Sequence, residues 1–185
     1  MSEKKVPNIL IEKISLERFA DIRDALMESG EEWFAAEMIP KPDLSIEESE
    51  ILTKDLLNRW KNDDFYMFFI FDGSTNQGLG FVFLNHVNRQ YQMANLGFAV
   101  RTSRTGEGIA TEAARRLAQY GFEQLRFQRI EIVVQKDNLA SLKVAEKLGA
   151  VREGLLRNRL IVHGSSSDAY MHSLIPSDFG IHKTA

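Results

Sequence analysis

The feature that most constrains the fold is one strongly amphipathic helix set among strands. Residues 109–125 put Ala110, Ala113, Ala114, Leu117, Ala118, Phe122 and Leu125 on one face at helical spacing, and Glu112, Arg115, Arg116, Gln119 and Glu123 on the other. Three strand-like runs precede it, at 65–71, 79–87 and 93–101, separated by turn signals at Asp72-Gly73-Ser74 and Asn88-Arg89. That is the pattern of an antiparallel meander. After the helix, residues 129–134 are rich in β-branched side chains and read as a further strand. A strand, helix, strand passage inside otherwise antiparallel pairing calls for a mixed sheet.

The remaining segments fit the same plan. Ile9, Leu10, Ile11 and Ile14 suit a first strand, and Leu16, Phe19, Ile22, Leu26 and Met27 recur at helical spacing. Residues 33–42 read as irregular, after which Ser45 and Glu48 form a capping box for a second helix through Trp60. A short helix at 138–148 ends at Gly149, and two strands follow near 151–162 and 168–174. With 185 residues, 44% of them hydrophobic, the chain suits one ordinary domain. The expected architecture is a single α/β (α+β) domain over residues 1–185. Its mixed, mostly antiparallel sheet has about seven strands flanked by about four helices, with residues 1–8 and 176–185 as flexible tails.

Composition removes several function classes. Lys and Arg total 23 against 26 Asp and Glu, a formal charge of −3, which argues against binding nucleic acid by neutralising phosphates. No cysteine is present, so thiol nucleophiles, thiolate zinc sites and acyl-cysteine intermediates are excluded. His86, His163, His172 and His182 show no ligand spacing, and no metal is expected. The first residues carry no signal-peptide pattern and no apolar run is long enough for a membrane span, so the expected setting is the cytoplasm.

The chemically richest segment is 101–111, Arg-Thr-Ser-Arg-Thr-Gly-Glu-Gly-Ile-Ala-Thr, between a strand and the start of the amphipathic helix. Gly106 and Gly108 let the backbone turn tightly, and the helix start beyond them offers unpaired N–H donors and the positive end of the helix dipole. A phosphate is the natural guest there. The segment is not a Walker A loop, because no Lys-Ser/Thr follows, and it is not a dinucleotide fingerprint, because Thr111 stands at the third glycine position. Taken alone, the two glycines fit a plain helix-starting turn equally well.

The surrounding residues go further. The loop, with Leu96-Gly97-Phe98 ahead of it, Gly108-Ile109-Ala110-Thr111 after it, Asn138-x-Ala140-Ser141, Ala145-Glu146-Lys147-Leu148-Gly149, Glu153-Gly154 and Asp168, closely resembles the GNAT acetyltransferase superfamily, and within it the RimJ/RimL branch. The resemblance covers about residues 65–174. It implies acetyl-CoA as co-substrate, held by Phe98, Ala99, Val100, Arg101, Arg104, Thr105, Gly106, Glu107, Gly108, Ile109, Ala110, Thr111 and Asn138. Arg101 and Arg104 are the candidates for its phosphate charges. One departure is Ser103, which occupies the place of the pattern's Gln or Arg three residues before Gly106.

For catalysis the resemblance implies that Ser141 protonates the leaving sulfur and that Asn138 holds the acceptor or the pantetheine amide. Asn138 also reads as an ordinary helix N-cap. Glu131 is the expected general base if a carboxylate acts, with Glu31, Glu32 and Glu37 as acceptor-binding anions. Trp33, Phe34 and Met38 are expected in the core rather than in a groove. Asp168, near Arg157 and Arg159, reads as a hairpin-positioning residue. The implied function is transfer of an acetyl group to a primary amine, the α-amine of a protein or peptide in the leading reading. The alternatives are a small amine acceptor or a non-catalytic acyl-CoA-binding module. A homodimer through edge strands is also expected.

Overall fold

The computed structural model describes residues 8–35 and 44–182. Strand β1 (Ile9–Lys13) leads into helix α1 (Leu16–Ala35), and helix α2 (Ile46–Lys61) is followed by the meander β2 (Tyr66–Asp72), β3 (Gly78–Asn88) and β4 (Met93–Val100). Helix α3 (Ile109–Glu123), strand β5 (Arg129–Gln135), helix α4 (Leu139–Leu148) and the hairpin β6 (Val151–Val162) and β7 (Ser165–Leu174) complete the order. These strands form one seven-stranded sheet in the order β1-β2-β3-β4-β5-β7-β6. Every pairing is antiparallel except β4 with β5. The mixed sheet expected from the embedded helix is therefore present, and its single parallel joint is where α3 crosses over.

Alternation along the strands sorts the core into two clusters. Tyr66, Ile70, Val82, Leu84 and Leu96 pack with Ala113, Leu117 and Phe122 of α3 and Ala145 and Leu148 of α4. Met67, Phe69, Phe71, Phe81 and Phe83 pack with Ile22, Ala25 and Leu26 of α1. Neighbouring residues of one strand point to opposite faces, so α1 and α2 cover one face and α3 and α4 the other. The capping box at Ser45 and Glu48 starts α2, with both reciprocal bonds made. Gly149 closes α4 at φ 80°, in the left-handed region where glycine escapes the Cβ penalty.

Two sequence expectations change. Helix α1 continues through Ala35, past the point where residues 33–42 read as irregular. The segment after β7 is docked rather than a free tail: Pro176–Phe179 forms a 3₁₀ turn, and the Phe179 ring meets Phe122 of α3 at 5.3 Å in an edge-to-face contact. An aromatic residue a few positions past the last strand finds the α3 surface and buries apolar area there. Asp168 acts within the hairpin, accepting the Asn158 N–H at 3.0 Å. The first seven residues, Glu37, Met38 and the side chains of Glu31, Glu32, Trp33 and Phe34 lie outside the described residues.

Candidate active site

Strands β4 and β5 pair at only three positions, Met93 with Arg129, Ala94 with Ile130 and Asn95 with Glu131. Beyond Asn95 the two part. β4 continues to Val100 bonded to β3, and β5 continues to Gln135 bonded to β7. The result is a fork in the middle of the sheet, whose two arms have no strand between them. Asn95 sits at its base: the side-chain Oδ1 accepts the Val133 N–H at 3.3 Å, and Nδ2 donates to Asn85 Oδ1 at 2.8 Å. A side-chain amide thus satisfies a β5 donor that the parting strands leave without a ladder partner.

A cavity of about 1500 Å³ runs through this fork. On the α1/α2 side it is lined by Leu26, Phe65, Met67, Phe81 and Phe83, and at the fork by Asn95, Gly97, Phe98 and Val133. On the α4 side it reaches Asn138 and Ser141. It therefore opens a path between the two faces of the sheet. Asn138 caps α4, its Oδ1 accepting the Ser141 N–H at 3.0 Å. The Ser141 hydroxyl is half-buried and has no hydrogen-bond partner among the described residues. Phe98, Ala99 and Val100 belong to the β4 arm with no strand on the β5 side; Phe98 lines the cavity, while the Ala99 side chain is buried in the α1/α2 cluster.

The expected phosphate loop follows directly. A 3₁₀ turn at Thr102–Arg104 leads to Gly106 at φ 83° and Gly108 at φ 88°, and Gly108 is the N-cap of α3 without any side-chain cap. A Cβ at either glycine would meet nothing within 4 Å among the described residues, so these glycines are demanded by backbone conformation. The backbone N–H groups of Gly106, Gly108, Ile109, Ala110 and Thr111 have no acceptor among the described residues. A fifteen-residue helix with an uncapped, solvent-open start is suited to an anion. Thr105 closes the 3₁₀ turn by donating its hydroxyl to Thr102 O at 2.8 Å.

The two arginines expected to meet phosphate are otherwise engaged. Arg101 is only 5% exposed; its Nε donates to Glu28 Oε2 at 2.9 Å and its Nη1 to Gly78 O at 3.3 Å. A guanidinium at that depth needs a carboxylate partner, and α1 supplies one. Arg104 Nε donates to Glu107 at 2.9 Å and Nη2 to Asp72 at 3.2 Å, so it braces the loop against the β2 end. Glu28 does more than neutralise Arg101. Its Oε1 accepts the Ser103 N–H at 2.6 Å, and next to it Ser29 Oγ accepts the Thr102 N–H at 2.9 Å. The Ser103 N–H, with help from the Arg101 guanidinium, holds the Glu28 carboxyl below the usual carboxylate range. Two residues of α1 therefore clasp the loop, a role no local sequence signal carries because they lie more than seventy residues away.

Glu131, the expected base, is placed at the closed end of the fork and does not line the cavity. Its carboxylate accepts from Arg129 Nε at 2.9 Å, and Arg129 also binds Glu153, whose Oε1 accepts the Ser173 hydroxyl at 2.7 Å. Arg129 and Ser173 bring the Glu153 carboxyl down to about 2. This cluster ties β5, β6 and β7 together, and the fork opens away from it.

A mixed sheet forked at its parallel joint, with an uncapped glycine loop at the start of the crossover helix, defines an acetyltransferase fold of the GNAT type. The chain belongs to that family: the acetyltransferase (GNAT) domain model matches residues 9–151. The probable N-acetyltransferase YjcK of Bacillus subtilis (strain 168) is 34% identical over 121 residues, 65% of this chain and 67% of that protein. Other curated relatives are matched over about three fifths of their length or less. Among solved structures, a provisional ribosomal-protein-serine acetyltransferase of Vibrio cholerae superposes with a TM-score of 0.74 at 26% identity, covering 91% of this chain and 94% of that one. A spermidine N-acetyltransferase of Vibrio cholerae, in complex with CoA and spermine, shares the fold with a TM-score of 0.75 at 18% identity, covering 92% and 97%. No described helix is long and apolar enough to cross a membrane.

Proposed function

We propose that the protein transfers the acetyl group of acetyl-CoA to the α-amine of a protein or peptide by direct attack in a ternary complex. The observation that carries this reading is the cavity that passes through the β4/β5 fork and joins the two faces of the sheet, with the Ser141 hydroxyl inside it. Acetyl-CoA supplies an activated thioester. The α3 N-terminus and its loop N–H groups hold the phosphates, and the open β4 arm at 96–100 takes the pantetheine. The acceptor enters from the α1/α2 side and meets the thioester in the fork.

The nitrogen lone pair attacks the carbonyl carbon, an N–H of the open β4 arm stabilises the developing oxyanion, the C–S bond breaks, and Ser141 donates its proton to the departing sulfur. The proton lost by the amine leaves through solvent and restores Ser141. With no cysteine in the chain, no acyl-thiol relay intervenes. An α-amine has a pKa near 8, so a useful fraction is already neutral at physiological pH and no dedicated carboxylate base is required. That agrees with the position of Glu131 outside the cavity.

The test is release of CoA thiol from acetyl-CoA with a panel of peptides and small amines. Turnover on peptides, rising as pH approaches 8, is the expected result; turnover confined to polyamines or other small amines overturns the α-amine reading. Ser141→Ala is expected to lower kcat by about a hundredfold, the scale of a lost general acid, while CoA binding by calorimetry stays within a few-fold. A protein that binds CoA but turns over nothing would be the acyl-CoA-binding module instead.

A further inference from the structure

The wall of the cavity beside the fork is aromatic, and a glycine makes it so. Phe83 of β3 lies opposite Gly97 of β4. A Cβ on Gly97 would fall 2.2 Å from the Phe83 Cζ, so the ring occupies the space that any other residue's side chain would take. Gly97 is two positions past Asn95, the last residue to pair with β5, and the ring therefore lies just beyond the base of the fork, beside the crossing between the two faces of the sheet. Phe65 stacks on Phe83 with ring centroids 5.4 Å apart and planes 17° from parallel, and Phe81 adjoins it at 6.1 Å. All three rings line the cavity.

The charges on this lining point the same way. Among the described residues its one carboxylate is Asp64, which is ion-paired with Arg59 at 2.8 Å, and Arg159 adds a second guanidinium. A chain bearing one neutral amine and an apolar group next to it is not repelled, and burying that group against three rings removes apolar area from water.

We propose that the preferred acceptor is an α-amine whose own residue carries a bulky apolar or aromatic side chain, seated against Phe83, Phe65 and Phe81. This inference rests on the α-amine reading above and narrows it to a substrate class. The side chain next to the amine is then the specificity element, because it is the group nearest the reaction that meets a shaped wall.

The experiment compares kcat/KM for peptides identical except for an N-terminal Phe, Leu, Ser or Asp, with spermidine alongside. The expected order is Phe and Leu over Ser and Asp by about tenfold or more, the scale on which a hydrophobic pocket discriminates. Phe83→Leu and Phe65→Leu, each checked for an unchanged circular dichroism spectrum, should lower kcat/KM for the Phe peptide severalfold more than for the Ser peptide, narrowing the preference between them. A merely structural role would lower both peptides together. Equal rates on all four peptides, or preference for Ser or Asp, overturn this inference and leave the α-amine reading standing. Turnover of spermidine with none of any peptide overturns both.

Discussion

At the scale of single residues, glycines decide the site, and they do so for different reasons. Gly106 and Gly108 hold positive φ, a demand legible from sequence because a glycine pair between a strand and a helix signals a backbone turn. Gly97 has an ordinary strand conformation and is needed only because Phe83 lies across it. That need was hidden, since the register that sets Phe83 opposite Gly97 is a tertiary fact; the family resemblance named Gly97 without its reason. Gly97→Ala should force the Phe83 ring from its place and cost about 1–3 kcal/mol, the range for overpacking a core. Chemical denaturation with an unchanged m-value would measure it, and stability equal to the parent would refute the contact. Asn138 and Ser141 were readable as a cap pair, and the cap is present; that they share a cavity with Phe65, just ahead of the distant strand β2, was not readable.

At the scale of elements, α1 links the cavity to the glycine loop before α3. Leu26 lines the cavity, and within a turn of it Glu28 and Ser29 hold the loop backbone at Ser103 and Thr102. The strands, helices and capping box that build this arrangement followed from periodicity in the sequence, whereas the clasp joins segments whose spacing is fixed only by folding. For the same reason Arg101 reads as a phosphate ligand in sequence and proves to be a buried pin in the structure. Glu28→Gln keeps the shape and loses the charge, and should raise KM for acetyl-CoA severalfold with a smaller change in kcat. The Glu28 carboxyl is lowered by folding, so the clasp is complete above the ordinary carboxylate range and is lost as pH falls through that lowered value. KM for acetyl-CoA in the parent should accordingly stay flat from pH 7 down to about pH 5. A rise already at pH 6 would point to another group.

At the scale of the whole molecule, one buried titratable group couples the sheet to pH. His172 of β7 is 5% exposed, and its Nδ1 has no hydrogen-bond partner among the described residues. Around it are Ile132 of β5, Arg152 of β6, and Lys143 and Glu146 of α4, which border the same small hollow. Burial, with some help from the Arg152 charge, lowers the pKa of the imidazole, so the folded chain holds it neutral while the unfolded chain titrates near 6.5. The unfolded state then binds the extra proton first, and stability is full above about 6.5 and declines as pH falls below it. Melting temperatures between pH 7.5 and 5.5 should show that decline, and His172→Leu should flatten it whatever its absolute stability. The fork has a consequence at this same scale. An open strand margin is what sheets recruit other chains with, and proteins commonly blunt such margins with charge or cover them at the perimeter. Here two margins of that kind face each other in the interior of one sheet, with further strands flanking them on both sides. A ligand extended along the β4 arm would stand in for the absent strand, pairing with backbone groups that β5 leaves open beyond Asn95.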